Sequence, residues 1–251
     1  MDKNKTTQTA DGRIPRIQDL RIKIFADGAD MDSIVEAYRK KVVKGFTTNP
    51  TLMAKAGVTN YITFAREVLR IVTDLPVSFE VFSDEFDDMK RQAYKLADLA
   101  PNVYVKIPVT NTKRQSAAPL IKKLAQDGMK LNITAILSLR QVREVVDALK
   151  PDVPSIVSVF AGRIADSGRD PLPLMCEALE ICRPLPAAEL LWASPREALN
   201  ILQADQMGCQ IITITPELLA KAGNFGRELE DVSLDTVKMF YNDAAKSGFS
   251  V

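Results

Sequence analysis

Between residues 21 and 214, short runs rich in Val, Ile, Leu and Phe alternate eight times with longer stretches of helical periodicity. Few architectures accept that rhythm, because consecutive strands separated by helices pair in parallel and need both sheet faces covered. The strands are expected at 21–26, 45–47, 77–82, 102–108, 130–135, 156–160, 189–192 and 210–214. Helices are expected at 31–41 with Asp30 or Asp32 as cap, from Pro50 and Thr59, at 86–99, 112–126, 139–149 and 172–181, and from Pro195 and Pro216. The pattern predicts an α/β chain folded as a single-domain (β/α)8 TIM barrel over 21–232. It is preceded by a polar tail (1–20) and followed by an extra amphipathic C-terminal helix (233–251). A doubly wound open sheet is the alternative, but no Gly-x-Gly-x-x-Gly follows an early strand.

The fourth strand carries one lysine, in Val103-Tyr104-Val105-Lys106-Ile107-Pro108. Alternation puts Val103, Val105 and Ile107 on one face and Tyr104 and Lys106 on the other. In a closed barrel both faces are covered, so Lys106 is either paired or kept partly neutral as a nucleophile. A lysine snorkelling from a strand end is the plain alternative.

Composition narrows the chemistry. The chain has no histidine, which removes Ser-His and Cys-His pairs, imidazole acid–base catalysis and most zinc sites. Cys176, Cys182 and Cys209 have neither disulfide nor metal-site spacing and read as core fillers of a reducing compartment. A formal charge of +1 gives no global attraction to nucleic acid or membrane, and no run is long enough to span a bilayer. A cytoplasmic location is expected.

Catalytic residues of such barrels sit at the C-terminal strand ends. Those ends carry Asp27, Thr47-Thr48-Asn49, Glu80, Lys106, Asn132, Thr134, Ser158, Ser194 and Arg196, where Val, Ile and Leu would be usual. Each has an ordinary explanation: Asp27 as a cap, Asn49-Pro50 as a turn, Glu80 as an ion-pair partner of Lys106. Together they make a polar pocket. Without histidine, Asp27 and Glu80 are the proton-transfer candidates and Lys106 the covalent one, since an uncharged amine adds to a carbonyl to give a Schiff base. Arg163 and Arg196 follow strands six and seven and suit phosphate oxygens, although Arg163 alone could be a surface residue.

At these residues the sequence resembles the transaldolase family, including the small transaldolases and fructose-6-phosphate aldolases. The likeness lies in Gly45-Phe46-Thr47-Thr48-Asn49-Pro50-Thr51-Leu52, Val105-Lys106-Ile107-Pro108, Asn132-Ile133-Thr134, Ser158-Val159-Phe160-Ala161-Gly162-Arg163-Ile164 and Trp192-Ala193-Ser194-Pro195-Arg196. The resemblance implies that Lys106 forms the Schiff base and that Asp27 takes a proton during carbon–carbon cleavage. It assigns Glu80 and Thr134 to a catalytic water, and Thr48, Asn49, Asn132, Ser158 and Phe160 to the substrate pocket. Arg163, Ser194 and Arg196 match phosphate-binding positions. Glu80 and Phe160 resemble the transaldolase version, where the fructose-6-phosphate aldolases have glutamine and tyrosine. Pro195 and Val159 depart from the usual phenylalanine and proline.

The resemblance implies a class I transfer of a dihydroxyacetone unit from fructose 6-phosphate or sedoheptulose 7-phosphate to erythrose 4-phosphate or glyceraldehyde 3-phosphate, within pentose phosphate metabolism. It implies no cofactor and no metal. A simple aldolase, a transaldolase for a sulfonated sugar such as 6-deoxy-6-sulfofructose, and a non-catalytic barrel are the rivals. The small enzymes of the family often form homo-oligomers of five or ten subunits. The C-terminal helix, with Leu234, Val237, Met239, Phe240 and Phe249, resembles the segment that contacts a neighbour, though it could equally cover its own barrel.

Overall fold

The computed structural model of the protein describes residues 13–248. Among these, parallel strands close into an eight-stranded barrel in sequence order. The strands are β1 (Lys23–Asp27), β2 (Gly45–Thr47), β3 (Val77–Glu80), β4 (Val103–Pro108), β5 (Leu131–Ile136), β6 (Ser155–Val159), β7 (Ala188–Trp192) and β8 (Ile211–Ile214). Around them run α1 (Met31–Lys40), α2 (Pro50–Lys55), α3 (Tyr61–Ile71), α4 (Phe86–Ala97), α5 (Ala118–Gln126) and α6 (Leu139–Ala148). They are followed by α7 (Ala161–Asp166), α8 (Pro171–Cys182), α9 (Leu199–Gln206), α10 (Pro216–Ala222) and α11 (Leu229–Ser247). A 3-10 turn, Ile17–Asp19, precedes the barrel. Residues 1–12 of the expected tail, and Phe249 beyond the last helix, lie outside the described residues.

Local chemistry starts the helices. The side chains of Asp30, Asn49, Asn60, Ser138 and Asp170 accept backbone N–H bonds as caps of α1, α2, α3, α6 and α8. Pro50, Pro171 and Pro216 fill first-turn positions, where no N–H is needed.

Strand alternation then divides the core in two. Outward residues such as Val103, Val105, Ile107, Ile133, Val157, Leu190 and Trp192 pack under the helices in one large apolar shell. Inward residues Phe25, Ile156, Leu191, Ala193 and Ile211 form a smaller cluster, with Tyr104 and Phe160 against it. Gly45 is required there, since a Cβ would lie 2.5 Å from the Phe25 ring. Above this plug the inward positions turn polar, and the register sets Asp27 beside Thr47, Glu80 beside Lys106, and Lys106 beside Asn132.

Several expected boundaries move. The helix expected from residue 112 begins at Ala118, because 110–116 is held as a loop by the Thr110–Ser116 bridge and by Asp84 accepting from Thr112. The helix expected from Pro195 begins at Leu199, because Asn200 Oδ1 accepts from both Arg196 N and Glu197 N and holds them in a turn. The loop expected after β6 contains α7. The C-terminal helix starts at Leu229 rather than residue 233. Cys182 and Cys209 are buried as expected, and burial pushes both thiols up to about 12. Cys176 is exposed on α8, because α8 turns Met175, Ala178 and Cys182 toward the core instead.

No helix among the described residues is long and apolar enough to cross a membrane.

Candidate active site

A cavity of about 490 Å³ opens at the C-terminal end of the barrel, within the usual size range of small-molecule sites. Its lining includes Asp27, Asn49, Glu80, Lys106, Asn132, Thr134, Ser158, Phe160, Arg163, Ser194 and Arg196. Eleven of the twelve sequence candidates therefore share one space. Thr48 is the twelfth. It is buried but does not line the cavity, and it contributes its carbonyl, which accepts from Lys106 Nζ at 2.9 Å.

Lys106 is 6% exposed, so it does not snorkel. Its Nζ lies 3.2 Å from Glu80 Oε2. The ion pair that Glu80 could have served structurally is thus formed, and it is formed inside the cavity. Both residues come from neighbouring strands at paired positions, so the contact follows from the barrel register itself. Tyr61 Oη donates to the Glu80 carbonyl at 2.9 Å and fixes that strand end.

Asp27 ends β1 on the opposite side of the floor. Burial raises its pKa above the ordinary aspartate value; Lys106 and the Thr47 hydrogen bond oppose the rise, and Glu80 adds to it. Thr47 Oγ1 donates to Asp27 Oδ1 at 2.7 Å and lies 2.5 Å from Thr213 Oγ1. Asn132 is held on two sides: its Nδ2 donates to Ser78 Oγ at 3.0 Å, and its Oδ1 accepts from Ser158 Oγ at 2.6 Å. Thr134 Oγ1 is buried with no hydrogen-bond partner among the described residues, leaving a donor and acceptor available to a substrate or water. Asn49 uses Oδ1 to cap α2, accepting from Leu52 N at 3.0 Å.

The cationic rim is built by close approach of α7 to the loop after β7. Ser194 adopts a left-handed conformation (φ 58°), and its carbonyl faces Gly162; a Cβ on Gly162 would sit 1.5 Å from that oxygen. Only glycine fits. Arg163 leaves this point on α7, and its guanidinium has no salt-bridge partner among the described residues. Arg196 is gripped by Asp166 at the end of α7, with Nε 2.8 Å from Oδ1 and Nη2 against Oδ2. The Arg196 hydrogen bond holds the Asp166 carboxyl below the usual range. Asp166 does not line the cavity, so it holds the guanidinium from behind.

Ala135 also has a positive φ (61°), at the irregularity where β5 slips against β6. Two non-glycine residues at the cavity rim in this region are a pattern that recurs at functional sites.

Sequence reasoning missed Ser78, Asp166, Thr213 and Ala135 as parts of the site. Ser78 is legible as the inward residue two positions before Glu80, and Thr213 as a hydroxyl inside Ile-Ile-Thr-Ile. Asp166 stands three residues after Arg163, which carries meaning only once 161–166 is known to be helical. The backbone of Ala135 has no signal in its residue type. No group of three or more His, Cys, Asp or Glu side chains among the described residues is placed to hold a metal ion.

A sequence model of the family described as "Transaldolase/Fructose-6-phosphate aldolase" matches residues 24–251. A probable transaldolase from Thermoanaerobacter sp. is 32% identical over 231 residues, covering 92% of this chain and 100% of that protein. Probable transaldolases from Dehalococcoides mccartyi (33% identical; 79% of this chain, 88% of that one) and Syntrophobacter fumaroxidans (35% identical; 77% and 85%) are also similar. Among solved structures, 3-hexulose-6-phosphate synthase from Salmonella typhimurium aligns with a TM-score of 0.55 at 14% identity, over 85% of this chain and 99% of that one. That likeness concerns the barrel alone. With the matched family model spanning the whole barrel, the chain belongs to the transaldolase/fructose-6-phosphate aldolase family.

Proposed function

We propose that the protein is a class I transaldolase that moves a dihydroxyacetone unit between sugar phosphates through a Schiff base on Lys106. The observation that carries this reading is the buried Lys106 Nζ, 3.2 Å from Glu80, on the floor of a cavity that also holds Asp27 and is rimmed by Arg163 and Arg196.

The amine of Lys106, its proton passed to Glu80, adds to the C2 carbonyl of a ketose phosphate. Glu80, with Thr134 and a water, returns protons so that hydroxide leaves as water and the iminium forms. Asp27 takes the C4 hydroxyl proton, the C3–C4 bond breaks, and its electron pair neutralises the iminium as an enamine. An aldose phosphate departs. The enamine then attacks the carbonyl of a second aldose phosphate, Asp27 returns its proton to the new alkoxide, and hydrolysis frees the new ketose and the lysine.

Asn49, Asn132 and Ser158 bind hydroxyls of the three-carbon unit, and Arg163, Ser194 and Arg196 clamp the phosphate. Such a clamp supplies remote binding energy for orienting the reacting carbons. No metal or organic cofactor takes part, and the substrates place the enzyme among the sugar phosphates of the cytoplasm.

Glu80 and Phe160 support transfer over simple aldol cleavage, on the strength of their resemblance to the transaldolase pattern. The enzyme is to be incubated with fructose 6-phosphate, with and without erythrose 4-phosphate. Sedoheptulose 7-phosphate, formed only when the acceptor is present, is the expected product. Free dihydroxyacetone released at the same rate without acceptor would instead mark an aldolase, and preference for 6-deoxy-6-sulfofructose would mark a sulfosugar enzyme.

The same family reading supports a homo-oligomer. None of the residues of α11 is buried, and Leu229, Val237, Phe240 and Tyr241 are exposed along it. A second copy of the chain is the proposed cover, in a ring of five or a pair of such rings.

A further inference from the structure

Asp27 is the only acidic group of the cavity that is hydrogen-bonded to a chain of buried hydroxyls among the described residues. Thr47 Oγ1 is 2.7 Å from Asp27 Oδ1 and 2.5 Å from Thr213 Oγ1, and both threonines are buried. A hydroxyl has one proton to give. The ionised carboxylate can only accept, so the Thr47 proton is committed to Asp27. The proton between the two threonines must then come from Thr213. The direction of the whole chain is fixed by charge at one end.

We propose that Thr213 is a positioning residue for Asp27, its hydroxyl donating to Thr47 Oγ1 and thereby holding the Thr47 hydroxyl as a donor to the Asp27 carboxylate. The link to turnover rests on the reading of Asp27 as the proton acceptor in aldol cleavage.

Two buried hydroxyls could merely satisfy each other, and then a pair of valines would serve as well. What separates the cases is the charged terminus. Hydrogen bonds to a carboxylate are stronger than neutral ones, and a donor behind a donor polarises it further. Asp27 has need of this, because burial works against its ionised form. Its other neighbours are accounted for. Lys106 from β4 and Glu80 from β3 act on it within the cavity, where Lys55, Arg163 and Arg196 also stand. On its outer side a groove carries Asp30, Glu36, Lys40 and Glu217. Thr213→Val alters none of these charges, and the added methyl replaces a hydroxyl of nearly equal size.

The test uses the full-length enzyme with the side-chain carboxyl carbons of aspartate labelled with 13C. The Asp27 resonance is identified by its loss in Asp27→Asn. In Thr213→Val the Asp27 titration midpoint is expected to rise by a few tenths of a pH unit, less than the loss of a direct hydrogen bond to the carboxylate would give, because the Thr47 donor stays in place and only its polarisation is lost. The acid limb of kcat/KM should rise with it, and Thr213→Ser should restore both. Thr47→Val, which removes the direct donor, should shift the midpoint at least as far and serves if Thr213→Val does not fold. A midpoint in Thr213→Val that coincides with the wild-type value overturns the proposal, as does an unshifted midpoint in Thr47→Val. A midpoint that moves while the kinetic limb stays put leaves Thr213 in its role and removes Asp27 from the chemistry.

Discussion

The contact between Gly162 and the Ser194 carbonyl decides where the cationic rim stands. Gly162 N donates to the Ala193 carbonyl at 3.4 Å, and the next carbonyl, that of Ser194, occupies the place of a Cβ. Ser194 is turned into this position by its positive φ, and Arg196 follows two residues later. A Gly162→Ala substitution forces α7 and this loop apart and separates Arg163 from Arg196. Displacement of a binding group by about 1 Å can cost up to about a hundredfold. We predict a rise in KM for fructose 6-phosphate of roughly ten- to a hundredfold with a smaller change in kcat, read from steady-state kinetics. An unchanged KM would mean that the rim does not bind the phosphate. Residue identity announced most of this site. Lys106, Glu80 and Asp27 are costly inside a barrel unless they do something there, and that cost is visible in the sequence. Arg163 and Arg196 are exposed on the rim and were legible only by their place after strands six and seven. Backbone conformation was not visible, because neither serine nor alanine advertises a left-handed φ. Nor was Asp166, whose meaning depends on the guanidinium it grips.

At the scale of elements, the strands were legible to within a few residues as short, near-continuous apolar runs, since burial on two faces demands them. The helix starts that moved or were missed lack a side-chain cap, although α4 and α10 were legible without one. Phe160 precedes α7, Ala117 precedes α5 and Ala198 precedes α9, and none makes a side-chain cap bond. Pro195 suits a helix start, but Asn200 folds back onto Arg196 and Glu197 and delays α9 to Leu199. The C-terminal helix is a different case. It was legible as amphipathic, and α11 adds none of its side chains to the apolar core. A chain ended after Glu228 should therefore keep the barrel and its thermal midpoint within a few degrees of the full protein. It should run as a monomer in light scattering, whereas the full chain is expected to run as five or ten copies. A full chain that is itself monomeric would contradict the assembly, and a collapse of the midpoint would show that α11 belongs to its own barrel.

For the whole molecule, one division of labour explains the arrangement. Outward strand faces and helices bury the large apolar shell, while Phe25, Ile156, Leu191 and Ile211 plug the barrel from within. On that rigid floor eight strand ends can present charged groups that a smaller core could not hold in place. The central claim is that the group at the middle of this floor is a nucleophile. Borohydride trapping tests it most directly: the enzyme is incubated with fructose 6-phosphate, reduced and mapped by mass spectrometry. A three-carbon or intact-sugar adduct on Lys106, absent in Lys106→Ala, is the predicted result. No adduct on Lys106 with any of a panel of ketose phosphates and sulfonates would contradict it, and would leave the Glu80–Lys106 contact as an ion pair that only supports the barrel.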